Sequence, residues 1–220
     1  MMDWTSIISR VAPYVVKIET PNGHGTGFLL ALTTDLRVYV IATARHVIEH
    51  AYKWKSPIRI YPYQQDKAFF YESKDFVVFY DPLQKDLAVL LIPRGHLVFE
   101  ANPPRILPPD RFLPPGYNVG WLGYPSPSEF GLNFFSGCIS GSRGTFGKPD
   151  HEYLIDGVAI SGVSGGPLVI LGDNYEIQIA GLISAYFPNR AAGESLPGLA
   201  IAQDSSTLHS AIQSAEKQKL

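Results

Sequence analysis

The sequence of 220 residues is poor in cysteine and in charge, and it has no long apolar run. Its only cysteine, Cys138, has no partner for an internal disulfide, which favours a reducing compartment. The net charge is −2 and no basic tract is present, so electrostatic attraction to nucleic acid is missing. No run reaches the roughly 18 apolar residues of a membrane span, and the N-terminus lacks the features of a signal peptide. We expect a cytoplasmic protein without nucleic-acid or membrane partners, and the sequence leaves its oligomeric state open.

Turn-forming and aromatic residues are plentiful instead. The chain contains 20 Gly, 18 Pro, 12 Tyr and 12 Phe, with 45% hydrophobic and 17% charged residues. This composition is typical of a compact protein built from many short strands joined by tight turns. Segments rich in β-branched and aromatic residues form two sets of six candidate strands: 15–19, 27–32, 38–43, 58–63, 76–80 and 87–92, then 117–124, 133–142, 153–155, 168–171, 177–183 and 199–202.

Six prolines in residues 103–115 divide the two sets of strands. Neither a helix nor a central strand persists through such a run, so an extended linker is predicted there, with an ordinary long loop as the alternative. The predicted fold is therefore all-β, with two six-stranded antiparallel barrels packed together, one in residues 1–102 and one in residues 116–220.

Two short helices are predicted at the ends of the chain. Residues 3–11 have the spacing of an amphipathic helix that stops before a proline. In the C-terminal segment apolar residues recur with helical spacing, and Ser205 or Ser206 is predicted to cap that helix.

The strongest chemical signal is a serine surrounded by glycines, in Gly162-Val163-Ser164-Gly165-Gly166. Glycine lets the backbone turn sharply, exposes the hydroxyl and leaves a backbone N–H accessible to a substrate oxygen. The segment matches the G-x-S-x-G elbow of α/β-hydrolases, but that motif requires a helix directly after the serine. Residues 167–172 have the pattern of a strand, and few residues remain for the Asp and His that should follow. A different arrangement of the nucleophile is therefore favoured.

His46 and Asp86 precede this serine, which gives the order histidine, aspartate, serine. His46 follows the apolar strand 38–42, and Asp86 starts the apolar strand 87–92. Either residue alone is a weak signal, because a histidine beside a strand and an aspartate at a turn are commonly structural. The three in this order, with Gly25-Thr26-Gly27-Phe28 upstream, form a far more specific pattern.

These segments resemble the chymotrypsin-fold, trypsin-like serine peptidases, and within them look most like the protease domain of the high-temperature-requirement family. The resemblance covers about residues 4–215 and includes residues 197–202. It leaves no sequence for the PDZ domain that usually follows in that family, so control by such a domain is not expected. It implies a chymotrypsin-like pair of barrels and a serine endopeptidase that acts on proteins or peptides without a cofactor or a metal.

The resemblance also assigns roles to individual residues. Ser164 would be the nucleophile and His46 the general base, while Asp86 would hold the correct tautomer and stabilise the imidazolium. The backbone N–H groups of Gly162 and Ser164 would bind the oxyanion. Ser184 matches the family serine that supports the aspartate.

Substrate contacts follow from the same resemblance. The residues expected to touch the substrate are Val158, Ala159, Ser184, Ala185, Tyr186 and Gly198. Val158 and Ala159 would form the base of the S1 pocket, and the edge from Ser184 to Tyr186 would pair with the substrate backbone. None of these residues carries a charge, and an apolar pocket desolvates a cation without pairing it. Small or medium apolar P1 side chains are therefore predicted, and not Lys or Arg.

Val163, directly before the serine, departs from the family pattern. Trypsin-type zymogens place an aspartate there and high-temperature-requirement enzymes usually an asparagine, so activation by a newly cut N-terminus is not expected. The apolar residue leaves open a latent peptidase or a non-catalytic binding module on the same fold. A further alternative is a zinc metallopeptidase, because residues 46–50 spell H-x-x-E-H. His24, near the predicted site, is interpreted as a turn residue.

Overall fold

The computed structural model describes residues 4–33, 37–65, 67–80, 85–95, 97–99, 103–127, 130–145, 151–172, 176–186, 189–191, 194–196 and 199–217. Strands dominate this part of the chain and form two large sheets and one two-stranded ribbon. None of the described helices is long and apolar enough to cross a membrane.

The first sheet contains seven of the described strands, all paired antiparallel. They are β1 (Val15–Thr20), β2 (Gly23–Leu32), β3 (Val38–Thr43), β4 (Ile58–Pro62), β5 (Phe69–Tyr71), β6 (Val77–Tyr80) and β7 (Ala88–Pro93). Their order across the sheet is β5-β4-β1-β2-β3-β7-β6.

The second sheet closes on itself. Its strands are β8 (Arg105–Ile106), β9 (Asn118–Gly123), β10 (Asn133–Arg143), β11 (Glu152–Asp156), β12 (Pro167–Leu171), β13 (Ile177–Tyr186) and β16 (Ala200–Asp204), while β14 (Asn189–Ala191) and β15 (Glu194–Leu196) form the separate ribbon. β12 pairs with both β9 and β13, so six strands form a ring in the order β12-β9-β10-β11-β16-β13. β8 adds a short parallel edge to β13 from within the proline-rich segment. The all-β fold with two sheets, each forming a barrel or half-barrel, is confirmed, and the domain boundaries stay a prediction.

Helices flank the sheets: α1 (Trp4–Val11), a 3-10 turn (Ala12–Tyr14), α2 (Arg45–Lys53) and α3 (Ser205–Glu216). The N-terminal and C-terminal helices lie where the sequence predicted them, whereas α2 was not predicted. The cap of α3 was predicted wrongly, because the side chain of Asp204 accepts the hydrogen bond from the N–H of Thr207. A carboxylate at this position also satisfies a free N–H at the positive end of the helix dipole.

β3 shows why the two sheets share a core. Every residue of β3 is buried, and side chains alternate between its two faces. Tyr39 and Ile41 pack in a cluster that contains residues of the first sheet and of α2 but none of the second sheet. Val40 and Ala42 pack in a second cluster, which also contains residues of the second sheet, α1 and α3. The two sheets are therefore joined by continuous apolar packing.

Candidate active site

His46 and Asp86 are in direct contact where β3 ends and the neighbouring strand β7 begins. His46 lies in the first turn of α2, directly after β3, and Asp86 lies just before β7. The backbone N–H of His46 donates to Asp86 Oδ1 at 3.0 Å, and Nδ1 of its ring lies 2.7 Å from Asp86 Oδ2. When the Nδ1–H of the neutral ring donates this hydrogen bond to the carboxylate, Nε2 keeps its lone pair. The hydrogen bond to Asp86 raises the pKa of His46, although burial acts in the opposite direction.

Ser164 reaches the same cavity from the second sheet. It lies in the loop between β11 and β12, and together with His46 it lines a cavity of about 360 Å³. Among the described residues, the Ser164 hydroxyl makes no hydrogen bond to the His46 ring. Catalytic hydrogen bonds in unliganded sites are often long and tighten only with substrate. A base and a hydroxyl therefore face one cavity, with the carboxylate behind the base.

The residues just before Ser164 form a type II turn. The N–H of Val163 donates to the carbonyl of Ile160 at 3.1 Å, and Gly162 has φ +90°. The carbonyl of Ser161 accepts from the N–H of Ser126 at 2.8 Å. Because a trans peptide points its N–H opposite to its carbonyl, the Gly162 N–H faces away from Ser126, and Gly162 is one of the residues that line the cavity. We call residues 160–163 the oxyanion turn.

The two donors expected for an oxyanion are unoccupied by protein. No described residue accepts a hydrogen bond from the N–H of Gly162 or of Ser164. Glycine is required on both sides of Val163 and Ser164, at positions 162 and 165. A Cβ on Gly162 would lie 2.3 Å from the carbonyl oxygen of Tyr124, and one on Gly165, which also has φ +90°, would lie 1.9 Å from that of Thr26. Gly165 therefore allows the close backbone approach to β2 that joins the two sheets at this point, and Gly162 allows a close approach to the segment after β9.

Some of the predicted substrate residues reach the cavity and others do not. Ala159, Ser184 and Ala185 line it. Val158 is 49% exposed and is not among the lining residues. Tyr186 lies at the end of β13, where its backbone pairs with Ala200. The side chain of Tyr186 and the whole of Gly198 fall outside the described residues.

Ser184 does not support Asp86 in the way that the resemblance implies. Its hydroxyl donates to the carbonyl of Ile201 at 3.3 Å and receives a weak contact from Gln203. Among the described residues, the hydrogen bonds to Asp86 come from the backbone and the ring of His46. The carboxylate is thus held by the same residue that it orients.

Sequence reasoning missed His24, which lines the cavity and was interpreted as a turn residue. It lies in β2, and its Nε2 is 3.1 Å from the carbonyl oxygen of Tyr124. Alternation along a strand puts His24 and Thr26 on one face of β2. Applied backwards from Thr26 in the Gly25-Thr26-Gly27 motif, this alternation of side chains could have indicated that His24 lies on the same face of the strand as Thr26.

The described residues do not provide the complete set of ligands that a zinc metallopeptidase would need. His46 and His50 do lie one turn apart on α2, but Glu49 pairs with Arg45 and Lys53. In the described ranges, no group of three or more His, Cys, Asp or Glu side chains could hold a metal ion. The H-x-x-E-H pattern here is therefore part of a short helix that carries His46.

Comparison with protein-family models identifies the family of this chain. The model of the trypsin-like peptidase domain matches residues 25–174, which include His46, Asp86 and Ser164. The chain belongs to the trypsin-like peptidase family. It is a serine-type endopeptidase of the chymotrypsin fold. A search of curated proteins finds no match to this trypsin-like peptidase.

Solved structures show the same fold at low sequence identity. An inactive form of Rv3671c from M. tuberculosis H37Rv, carrying a serine-to-alanine mutation, superposes with TM-score 0.65 at 22% identity, over 97% of this chain and 92% of that one. The HtrA-type protease AlgW with a tripeptide gives 0.70 at 19%, over 98% and 64% of the two chains. The serine endoprotease from Yersinia pestis gives 0.67 at 21%, over 99% and 68%. At these identities the likeness concerns the fold.

Proposed function

We propose that this trypsin-like peptidase cleaves peptide bonds with Ser164 as nucleophile, His46 as general base and Asp86 as the group that orients the base. The observation that carries the proposal is the double contact of His46 with Asp86, beside a cavity that Ser164 also lines. A serine hydroxyl is a weak nucleophile without such a base.

The proposed reaction proceeds through an acyl-enzyme. As Ser164 Oγ attacks the carbonyl carbon of the scissile bond, His46 Nε2 takes the hydroxyl proton, and Asp86 stabilises the resulting imidazolium. The oxyanion is bound by the N–H groups of Gly162 and Ser164, each worth about 3 kcal/mol in comparable sites. His46 then gives its proton to the leaving amine. A water molecule, activated by the same base, releases the acid product and restores Ser164.

The substrate is proposed to be a protein or peptide with a small or medium apolar P1 side chain. The described lining residues near Ser164 on the second sheet include Ala159, Ser184 and Ala185, and none of these carries a charge that could pair with Lys or Arg. The pairing of β13 with β12 ends at Leu182 and Pro167. Ile183 still bonds to Gly165 and Gly166 on this side. The backbone from Ser184 to Tyr186 has no strand partner on this side among the described residues, and we propose that the substrate pairs there.

The test combines active-site labelling with peptide cleavage. Wild type and Ser164→Ala are treated with a fluorophosphonate probe and, separately, with a peptide library that varies P1. Wild type is expected to label at Ser164 and to cleave after residues such as Val, Ala or Leu, and Ser164→Ala is expected to do neither. Ser136→Ala, which changes an exposed serine of β10, is the matched control and should label like wild type.

Three results would contradict parts of this proposal. A folded wild type that neither labels nor cleaves would favour the latent or non-catalytic binding module. Cleavage that survives in Ser164→Ala and stops with a chelator would favour a metallopeptidase. Faster cleavage after Arg than after Val or Leu would leave the triad intact but refute the apolar S1 pocket.

A further inference from the structure

Thr26 is fully buried in β2 of the first sheet, yet it bonds to the nucleophile loop of the second sheet. Its backbone N–H donates to the carbonyl of Ser164 at 2.8 Å. Its hydroxyl donates to the carbonyl of Gly162 at 2.7 Å and accepts from the N–H of Tyr124 at 2.9 Å. The carbonyl of Thr26 itself accepts from the Thr43 hydroxyl at 2.6 Å. None of these bonds takes part in the proposed reaction steps.

The hydroxyl of Thr26 is connected by hydrogen bonds, directly and through residues 124–126, to two peptides of the oxyanion turn. Directly, it fixes the carbonyl of Gly162, which belongs to the peptide that closes the turn. Indirectly, it fixes the N–H of Tyr124, two residues before Ser126, whose N–H holds the carbonyl of Ser161. The orientation of the Ser161 carbonyl decides which way the Gly162 N–H points, because the peptide between them is planar.

The turn has no charged anchor at the position before the nucleophile. Val163 is fully buried and packs in the apolar cluster of the second sheet. An apolar side chain resists exposure but does not fix the rotation of the neighbouring peptides. The bonds that fix the orientation of these peptides are hydrogen bonds between neutral groups. The Thr26 hydroxyl donates one of them and accepts another. A buried hydroxyl that satisfies both a carbonyl and an N–H is costly to remove, since both partners stay buried.

We propose that Thr26 is a positioning residue whose hydroxyl keeps the oxyanion turn in the form that directs the Gly162 N–H into the cavity. The inference rests on the proposed function of Ser164 and Gly162. It also implies that the turn is set by the fold itself, without a newly cut N-terminus, because its fixing bonds come from β2.

The test compares Thr26→Val, which keeps the shape and removes the hydroxyl, with Thr26→Ser, which keeps the hydroxyl. In Thr26→Val, kcat is expected to fall about ten- to a hundred-fold, with KM within about twofold of wild type. This is the effect of losing a buried hydrogen bond, and it is smaller than the roughly hundred- to thousand-fold loss when an oxyanion donor is removed outright. Affinity for a peptide aldehyde, whose hemiacetal oxygen occupies the oxyanion site, should fall by the same factor. Thr26→Ser should restore both. Thr207→Val, which changes a buried threonine of α3 away from the cavity, should keep wild-type kcat.

Several outcomes would overturn the inference. They are wild-type kcat in a folded Thr26→Val, equal losses in Thr26→Val and Thr26→Ser, and a change confined to KM. If Thr26→Val does not fold, Thr26→Ala removes the hydroxyl without a branched side chain and carries the same expectation. Should wild type prove inactive, the proposed function fails by itself. Crystal structures of the valine and serine variants then decide: a reversed Ser161–Gly162 peptide in valine alone supports the role of Thr26, and an unchanged peptide in both refutes it.

Discussion

The contact between His46 and Asp86 sets how the activity should depend on pH. The hydrogen bond to Asp86 raises the pKa of His46, and a protonated ring cannot act as a base. We therefore expect kcat/KM to rise with pH along a limb whose midpoint lies above the ordinary histidine value. Asp86→Asn removes the charge and favours the wrong tautomer, so the limb should move to lower pH and the plateau should fall by about 10⁴-fold, as in comparable triads. Measurement of kcat/KM across the neutral range tests both effects.

Glu49 provides the matched control for that pH profile. Its charge raises the pKa of His46 only through space, and its carboxylate is engaged by Arg45 and Lys53. Glu49→Gln should shift the limb slightly to lower pH and leave the plateau unchanged. A plateau that falls as far as in Asp86→Asn would mean that α2 itself, and not the carboxylate behind the ring, controls the activity.

Single residues differ in how far the sequence reveals them. His46, Asp86 and Ser164 each lie in a local pattern, so their meeting at one site could be predicted once the order was recognised. The partner of Ser184 could not, because the pairing of β13 with β16 shifts register between Ile183 and Ala185. A bulge of this kind redirects a side chain, and nothing in the neighbouring sequence marks it.

Asp204 connects α3 to the second sheet, so its substitution should lower the free energy of unfolding. Its carboxylate caps α3 and lies 2.9 Å from the ring of the fully buried His151. Burial would raise the pKa of Asp204, but the bonds from His151 and Ser206 hold it below the usual value. Asp204→Ala should lower the free energy of unfolding by about 2–4 kcal/mol, and Asp204→Asn, which still caps, by about 1–2 kcal/mol. Urea titration at neutral pH measures both.

The sign of the pH effect gives a further check on Asp204. Because its folded pKa is depressed, its ionic contribution is present above the unfolded value and disappears as the pH falls through the folded value. The difference between wild type and Asp204→Asn should therefore shrink in acid. Ser206→Ala loses one bond to the carboxylate and serves as the control, with a change of about 1 kcal/mol or less. A constant difference at all pH values would show that folding does not change the pKa of Asp204, and a difference that shrinks as the pH rises would show that folding raises it.

Elements whose stability comes from tertiary packing were the hardest to predict. α3 follows a clear helical spacing of apolar residues, and only its cap was assigned wrongly. α2 has nine residues, and a helix of this length is marginal by itself. It is held by burial of Ile48 and Ala51 against the first sheet. The helix was not predicted, because the contacts that stabilise it involve residues far away in the chain. The local sequence pattern suggested a metal motif instead.

At the scale of the whole molecule, the two sheets form one core as well as one site. One apolar cluster contains Phe28 and Val89 from the first sheet, Leu182 from the second and Leu208 from α3. Two further clusters belong to the individual sheets. The sequence predicted two halves joined by a proline-rich linker, but the alternation of a strand does not say which of its faces meets the other half. That information depends on how the sheets pack.

Shared packing of this extent should make unfolding a single transition. In a Trp4→Phe, Trp54→Phe background, fluorescence reports on Trp121 alone, which is fully buried in the second sheet and stacks on Phe135. Ile60→Ala removes a side chain from the cluster of the first sheet, at a cost of about 2–5 kcal/mol. If the sheets unfold together, this change lowers the urea midpoint of Trp121 fluorescence, of far-UV circular dichroism and of peptide hydrolysis by the same amount.

The control for this experiment is a change of the same kind in the other sheet. Ile155→Ala changes a residue of the same second-sheet cluster as the reporter and should shift all three probes as Ile60→Ala does. Independent halves would behave differently: Ile60→Ala would then leave the Trp121 transition in place, and only Ile155→Ala would move it. Because His46 and Ser164 come from different sheets, activity in that case would follow whichever half unfolds first, and the three midpoints would separate. Coincident midpoints in both variants would mean that the site persists only as long as the shared core does.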